Sequence, residues 1–419
     1  MERLWDSKEL ELKISSLFKR AFGFEVCVNR YSPQAGNGLL IGTPNRPAEP
    51  LPPRKEFLLE LAGLPSLLSQ GDGIRSFASI LMATIVTGPP VVFIDEPEAF
   101  LHPPQAKLLG RYLVEETADG TQIIVATHST DLIHGILNGA TNREIKIIRL
   151  SPDHSLSVLP NTEIEHLWRD GLLRYSRMLD GLVHQGTVVC EADADCRFYA
   201  AAMDARISAD HDVHFTHVGG KARMPEASLK LRKLNLRPAV IVDIDILNDD
   251  TLVKRLIEAS GGDYSDIKDD LAIIQKEVEK KASIPTARAF KEAARPIMGR
   301  ADASRIDDAE ASAIIDSLKR DSGWKAVKAS GLRAFKGDPL AAIGRVLQHL
   351  KHHGIFVVPV GEIEGWEPSV SGHGPSFVAK VLESGLHRTP SAHAPKAELD
   401  GFIADLTTYL GLSSPDPKV

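Results

Sequence analysis

The sequence predicts an α/β protein in which short buried strands form parallel sheets. Apolar runs rich in β-branched residues, such as residues 91–94 and 239–242, end in acidic residues, and continuous apolar runs of this length are typical of parallel strands buried on both faces. A helix-like segment separates the first run from a second strand at residues 122–127. With 419 residues, the chain is long enough for two or three domains.

The composition limits the location and the partners of the protein. The formal net charge is −7, so nucleic-acid binding requires a local basic patch or bridging metal ions. Cys27, Cys190 and Cys196 lack metal-ligand spacing and indicate a reducing compartment. No apolar run approaches the roughly 20 residues that span a membrane, and the charged N-terminus lacks a signal-peptide core. We therefore expect a cytoplasmic protein without a membrane partner.

The first part of the chain contains a glycine-bearing segment between helices. An amphipathic helix is predicted over residues 6–22, followed by short strands at 25–28 and 38–42. Farther along, Gly71 and Gly73 would let backbone N–H groups approach an anion, and the helix that follows would direct its N-terminus at the same anion. By itself, a Ser-x-Gly-x-Gly loop is usually only a turn.

Acidic and histidine side chains follow the two clearest strands of this half. Asp95 and Glu96 come directly after residues 91–94, at the strand end where α/β folds bind ligands. Asp95 would hold the Mg²⁺ of a nucleotide, and Glu96 would polarise the attacking water. The second strand leads to His128, which would sense a γ-phosphate.

These motifs resemble the ATPase core of the ABC superfamily. The stretch FIDEP (93–97) is similar to the Walker B strand with its catalytic glutamate, residues 98–102 to the D-loop, and His128 to the switch histidine. The stretch SQGDGIRS (69–76) resembles the signature segment, which in that superfamily contacts the γ-phosphate held by the other protomer. The resemblance implies a homodimer through this half, with ATP contacted by Ser69, Gly71, Gly73, Asp95, Glu96 and His128.

One element of that core is absent from the sequence. No Gly-x-x-x-x-Gly-Lys-Ser/Thr phosphate loop (Walker A) occurs in the chain, so we do not expect this chain alone to bind and hydrolyse ATP. Three explanations stay open: a truncated reading frame, a partner chain that supplies the loop, or a degenerate ATPase kept as a dimerisation scaffold. The intact signature, Walker B and switch motifs favour truncation.

Acidic residues also end three predicted strands of the second half. Glu191 and Asp195 follow residues 187–190, and the pair Asp243 and Asp245 follows residues 239–242. Glu364 follows residues 355–360, and Glu362 is an alternative ligand at the same strand end. On an ideal strand, two acids that are two residues apart point the same way and can share one cation. Crowded carboxylates favour Mg²⁺ or Mn²⁺, and two such ions can clamp a phosphodiester during its displacement.

This pattern resembles a Toprim domain. Glu191 and Asp195 are similar to its E-G-x-x-D stretch, with Ala192 in place of the glycine, and Asp243 and Asp245 to its DxD. An ATPase core followed by Toprim resembles the overcoming-lysogenization-defect family of nucleases over roughly residues 60–375. The resemblance implies an ATP-linked, metal-dependent DNA endonuclease or nickase in defence against foreign DNA. Lys221, in a Gly-Gly-Lys turn, would approach the scissile phosphate, and Glu364 would be a late metal ligand.

The expected domain organisation has three parts. A partial ABC-type ATPase domain is predicted over 1–180, a Toprim domain over 181–380, and a helical tail over 381–419. A charged helical insertion at about 249–335 interrupts the Toprim order and either contacts the DNA backbone or is a solvated face. Two rival functions stay open: an ATPase whose Toprim domain is inert, and a non-catalytic dimerisation scaffold.

Overall fold

The computed structural model describes residues 2–31, 38–46, 52–139, 143–150, 155–159, 177–207, 211–282, 286–300, 304–318 and 323–412. The chain divides into two compact units, and the described residues up to Ile147 lie in the first and those from Ile148 in the second. The sequence prediction placed this boundary at residue 180. Within the described ranges, no helix combines the length and the apolar character needed to cross a membrane.

The first unit contains helices around two small sheets. Its helices are α1 (Glu2–Asp6), α2 (Lys8–Phe22), α3 (Lys55–Gly63), α4 (Asp72–Leu81), α5 (Pro103–Glu115) and α6 (Thr130–Gly139). Its strands are the antiparallel pair β1 (Val26–Val28) and β2 (Leu39–Ile41) and the parallel pair β3 (Val91–Asp95) and β4 (Gln122–Ala126). A short π-helix, Met82–Thr87, follows α4. The strands β5 (Ile147–Leu150) and β6 (Leu156–Leu159) pair with each other at the unit boundary.

Capping and apolar spacing explain the predicted N-terminal helix. Ser7 accepts a hydrogen bond from the Leu10 amide at 3.1 Å at the start of α2, and Gly23 ends the helix in the left-handed conformation, with φ of 82°. Ile14 and Phe18 are fully buried in the core of this unit. The predicted helix is confirmed.

The parallel pair β3–β4 departs from the prediction. The two strands pair in parallel with Asp95 opposite Ala126, as expected, but burial on both faces was wrong. Phe93 is 76% exposed, and Val91 and Ile124 also face solvent, whereas Val92 is buried. The apolar run cannot distinguish a strand covered on one face from a strand covered on two, because both faces carry apolar side chains.

The second unit is built on a four-stranded parallel sheet. Its strands are β7 (Gly186–Cys190), β8 (Val213–His217), β9 (Ala239–Val242) and β10 (Ile355–Val357), arranged in the order β10-β9-β7-β8. The chain passes from β7 to β8 on one side and then crosses to β9 on the other. The gap between β7 and β9 is therefore a topological switch point, where open α/β sheets bind ligands beyond the carboxyl ends of their strands.

The second unit also contains ten described helices. They are α7 (Asp193–Asp204), α8 (Met224–Lys233), α9 (Asp250–Ala259), α10 (Lys268–Glu279), α11 (Ala287–Ala294), α12 (Asp308–Leu318), α13 (Trp324–Ser330), α14 (Asp338–His352), α15 (Pro375–Glu383) and α16 (Lys396–Tyr409). Helices α10 to α12 lie within residues 249–335, the range that the sequence prediction describes as helical. Leu399, Phe402 and Ile403 of α16 pack into the same core as Val188 and Ile241 of the sheet, so this helix belongs to the second unit's core.

Candidate active site at the edge of the second sheet

The carboxyl ends of three neighbouring strands deliver acidic residues to one edge of the second sheet. β7 ends at Cys190 and is followed by Glu191, and β9 ends at Val242 and is followed by Asp243. β10 is followed by a turn that carries Glu362 and Glu364. Because β7, β9 and β10 are adjacent and parallel, their ends place these acids around the switch point.

The Gly-Gly-Lys turn after β8 brings Lys221 to this edge. Gly219 and Gly220 have φ of 69° and 129°, a conformation that side chains disfavour. The Gly220 amide donates a hydrogen bond to the Glu191 carbonyl at 3.1 Å, which fixes the turn against the end of β7. Lys221 Nζ then donates to Asp245 Oδ2 at 2.9 Å. The structure thus brings together the predicted residues Lys221 and Asp245.

The geometry of the DxD pair differs from the prediction. The strand ends at Val242, and residues Ile244–Asn248 form a 3₁₀-helix, so Asp243 and Asp245 do not lie on one ideal strand. Asp245 binds Lys221, whereas Asp243 Oδ2 lies 3.0 Å from Lys328 Nζ. Each aspartate is therefore paired with its own lysine, and the strand that the prediction extended through both acids ends before them.

Lys328 is a residue of this site that sequence reasoning missed. It lies on α13, and its Nζ contacts Asp243 Oδ2 at 3.0 Å and Glu362 Oε2 at 3.1 Å. A Cβ on Gly361, where φ is 107°, would lie 1.8 Å from the Lys328 carbonyl oxygen. Only glycine therefore lets the turn after β10 approach α13 this closely. The signal in the sequence was the glycine of Gly-Glu-Ile-Glu, but its neighbour on α13 has no sequence signature.

Burial and repulsion between neighbouring carboxylates raise the pKa values of two acids of the site. Burial raises the pKa of Asp195, and the charges of Glu191 and Glu364 raise it further, although the Ala192 amide, which donates to Asp195 at 2.9 Å, opposes the shift. Burial above all raises the pKa of Asp243 to about 7, against the lowering effect of Lys328. These influences show that acids from all three strand ends lie within electrostatic range of one another.

The two carboxylate oxygens of Glu364 have different surroundings. Its Oε1 accepts a hydrogen bond from the Gly374 amide at 2.6 Å and lies 2.6 Å from His373 Nδ1. Its Oε2 is buried and has no hydrogen-bond partner among the described residues. Ligand atoms of Glu362, Glu364 and His373 lie within 4.8 Å of one another. Glu362 and Glu364, which the sequence gives as alternative ligands, therefore lie in the same cluster. His373, which the sequence analysis does not single out, lies there with them.

The nearby Glu367 has a different role. It is 2% exposed, and its Oε2 accepts a hydrogen bond from the Ser391 amide at 2.9 Å. The hydroxyls of Ser369 and Ser391 donate to its Oε1. These bonds lower the pKa of Glu367 against the opposing effect of burial, so the carboxylate is fully used in holding the chain together.

The predicted Walker B residues of the first unit are exposed. Glu96 has a left-handed φ of 43°, and its amide donates to the Ala126 carbonyl at 2.9 Å, which ties the turn to β4. His128 Nδ1 lies 3.4 Å from Glu96 Oε1 and 3.7 Å from Glu98 Oε1. The structure thus places the predicted pair Glu96 and His128 side by side, next to the exposed Asp95.

Glu98 organises the loops behind this pair. Its Oε1 accepts hydrogen bonds from the Thr127 hydroxyl at 2.6 Å and from the His128 amide at 3.3 Å. Its Oε2 is buried without a partner among the described residues. Sequence reasoning assigned Glu98 only to a loop, but the side chain joins the end of β3 to the end of β4.

The signature-like segment packs against the same loop. Ser69 lies at the end of a 3₁₀-turn, and α4 begins at Asp72 with Gly71 as its N-cap residue. A Cβ on Gly73 would lie 2.3 Å from the Phe100 carbonyl oxygen, so this glycine permits close packing of α4 on the loop after β3. Contact of Ser69, Gly71 and Gly73 with a nucleotide stays a prediction.

Comparison with known proteins gives a family match for part of the first unit. Residues 59–133 match the family described as "AAA domain, putative AbiEii toxin, Type IV TA system", and comparison with curated proteins found no match. A solved structure described as "Structural biochemistry of ATP-driven dimerization and DNA stimulated activation of SMC ATPases" is 16% identical, with a TM-score of 0.23, over 38% of this chain and 91% of that chain. At this TM-score, the likeness supports no conclusion about the fold or function of this chain. The family match indicates an AAA/ABC-like ATPase core.

Proposed function

We propose that the second unit is a metal-dependent DNA endonuclease or nickase of the Toprim kind, and that the ATPase-like first unit controls it. The observation that carries the proposal is the convergence of acids from β7, β9 and β10 at the switch point of a parallel sheet. Lys221 and Lys328 lie among these acids. Such an arrangement serves phosphodiester hydrolysis, in which metal ions and cationic side chains offset the charge of the phosphate.

The charge balance of the site fits two divalent cations. Six acids outnumber the two ammonium groups by four, and this excess is the full negative charge of the site once every acid is ionised; the acids are Glu191, Asp195, Asp243, Asp245, Glu362 and Glu364. The Oε2 of Glu364, which is buried and has no hydrogen-bond partner within the described ranges, is a further oxygen donor of the site. Oxygen donors of this kind suit Mg²⁺ or Mn²⁺, so the residues present fit the metals that the sequence predicted.

The protein's own side chains supply orientation and charge. When bound, the metal ions would polarise the phosphodiester and lower the pKa of a water nucleophile. Lys221, which is partly exposed and held by Asp245, would offset the charge that develops on the phosphate. Lys328 holds Asp243 and Glu362 in fixed positions. The Asp195 carboxylate, fixed by the Ala192 amide, would complete the metal-binding set.

The first unit supports a controlling role for ATP. Asp95, Glu96 and His128 lie together as a nucleotide-hydrolysing centre requires, but the sequence contains no phosphate loop. The exposed apolar face of β3 and β4 favours a further segment or a partner chain that covers this sheet and supplies the loop. Nucleotide binding would then join two copies through Ser69, Gly71 and Gly73. We assign the protein to cytoplasmic defence against foreign DNA, by resemblance.

Plasmid cleavage tests the nuclease proposal. We expect purified protein with Mg²⁺ or Mn²⁺ and without ATP to nick supercoiled DNA, and EDTA to abolish the nicking. Asp243→Ala should reduce the rate at least about 1000-fold, because it removes a central metal ligand. Glu258→Gln, which changes an exposed acid on α9, serves as the matched control.

Two results would redirect the proposal. If no metal supports cleavage by the wild-type protein, the second unit is inert and the ATPase or scaffold alternatives gain support. If Asp243→Ala cleaves as fast as Glu258→Gln, cleavage does not depend on Asp243 and the assignment of the nuclease centre to this edge of the sheet is wrong. ATP binding, measured by calorimetry on the same protein, separates an ATPase from a scaffold.

A further inference from the structure

The turn before α15 places a histidine beside the acids of the proposed nuclease site. We propose that His373 is a metal ligand together with Glu362 and Glu364, and that this mixed donor set selects a first-row transition ion such as Mn²⁺ over Mg²⁺. The inference rests on the proposed function insofar as it treats these acids as metal ligands. It adds a nitrogen donor, and with it a preference among metals.

The geometry of the three side chains fits one cation. One ligand atom of each lies within 4.8 Å of the others, a spacing that donors around a single ion require. His373 Nδ1 is 2.6 Å from Glu364 Oε1, and this contact holds the two side chains close together. The buried Oε2 of Glu364 has no hydrogen-bond partner among the described residues, so this carboxylate retains a free donor.

Hydrogen bonds fix the backbone of the turn that carries His373. The His373 amide donates to Ser376 Oγ at 3.3 Å, and that hydroxyl donates to the His373 carbonyl at 3.0 Å. Gly372 and Gly374 flank the histidine with φ of 131° and 52°. The helix that follows, α15, is anchored by the buried Phe377. The imidazole is therefore presented from a defined turn.

The exposure and chemistry of His373 decide which metal it favours. The side chain is 76% exposed while Glu364 is 15% exposed, so an ion held between them would keep an open side for water and substrate. Mg²⁺ prefers oxygen ligands and octahedral geometry. Imidazole nitrogen is a better ligand for transition ions, so the nitrogen donor would raise affinity for those ions more than for Mg²⁺.

Mn²⁺ binding measured by electron paramagnetic resonance tests this inference directly. Nitrogen coordination produces ¹⁴N modulation in the electron spin echo of bound Mn²⁺, a readout that does not depend on DNA cleavage. We expect this modulation in the wild-type protein and its loss in His373→Ala. We also expect His373→Ala to weaken Mn²⁺ binding by about tenfold or more and Mg²⁺ binding by less than about threefold.

A matched control and a conservative variant complete the experiment. His352→Ala changes an exposed histidine that precedes β10, at the opposite end of that strand from Glu362 and Glu364, and should retain the signal. His373→Asp, which offers oxygen in place of nitrogen, should retain Mn²⁺ without the modulation. Modulation that persists in His373→Ala, or that is absent from metal-loaded wild type, would overturn the assignment and leave His373 as an ion-pair partner of Glu364. If metal-loaded wild-type protein shows the ¹⁴N modulation but does not cleave DNA, only the nuclease proposal is contradicted.

Discussion

The two parallel sheets of the molecule differ in how their strands are covered. In the second unit, every residue of β7 and β9 is buried, and burial raises the pKa of Asp243, which follows β9, and of Asp195 in the first turn of α7. In the first unit, alternate residues of β3 face solvent, and Asp95 and Glu96 are exposed. A covered sheet places its acids in a medium where charges interact strongly, whereas a bare sheet does not. The Walker B-like motif of the first unit therefore matches its family pattern although its acids are not enclosed by the protein.

The largest expected effect comes from equivalent truncations in the two sheets. Ile241→Ala removes a side chain that is 3% exposed and should lower the free energy of unfolding of the second unit by about 2–5 kcal/mol. Phe93→Ala removes one that is 76% exposed and should cost less than about 0.5 kcal/mol. Hydrogen exchange resolved by mass spectrometry measures each unit separately. A large cost at Phe93 would show that its face is covered in solution and would break the comparison.

Sequence reasoning located the strands and their acids because both depend on local pattern. Runs of β-branched residues ended in carboxylates, and the ends of parallel strands necessarily share one edge, so Glu191 and Asp243 were found without coordinates. The ATPase-like core was recognised from motifs within residues 59–133, the stretch that the family match covers.

The residues that were missed depend on contacts between distant segments. Lys328 reaches the site because Gly361 lets the turn after β10 approach α13, and His373 reaches it through a turn fixed by Ser376. Neither lysine nor histidine carries a sequence signal at these positions. The exposed face of β3 was missed for another reason: an apolar residue at position 93 satisfies a covered sheet and a bare one equally.

The next effect in size is a pH dependence confined to the second unit. Because burial raises the pKa of Asp243 to about 7, the folded protein holds this proton more tightly than the unfolded chain. Without metal, the free energy of unfolding should fall as pH rises from 5 to 7, by up to about 2 kcal/mol, and level off above 7. Asp243→Asn should remove most of that fall, measured by urea denaturation at each pH, and Glu258→Gln should retain it. An unchanged slope in Asp243→Asn would assign the titration to another group.

A smaller effect is expected from the internal cation. Lys328→Gln leaves Asp243 and Glu362 without their shared ammonium partner and should destabilise the metal-free protein by about 1 kcal/mol. The same change should tighten Mn²⁺ binding several-fold, because a repelling charge is lost. Lys325→Gln, exposed on the same helix, is the control for both measurements. Weaker metal binding in Lys328→Gln would indicate that the lysine organises the ligands more than it repels the ion.

The smallest effect is expected in the charged helices within residues 249–335, which the sequence analysis describes as an insertion. Their basic residues are partly neutralised within the insertion, since Lys280 pairs with Glu277 at 2.8 Å and Arg288 with Glu292 at 2.9 Å. Reversal of the exposed Lys291 and Arg295 to glutamate should therefore change DNA affinity by less than about threefold and leave its dependence on salt unchanged. A shallower salt dependence in the double variant would instead identify the insertion as a contact to the DNA backbone.

The close approach at Gly361 has a consequence for mutational screens of this protein. Any side chain there would meet the Lys328 carbonyl and push α13 away, and Lys328 would move with it. A selection for activity would score Gly361 as intolerant as Asp243, although it has no side chain to offer a metal or a substrate. Intolerance at this edge of the sheet will thus mark both the groups that act and the backbone clearances that bring them together, and only metal binding or pH profiles will distinguish the two.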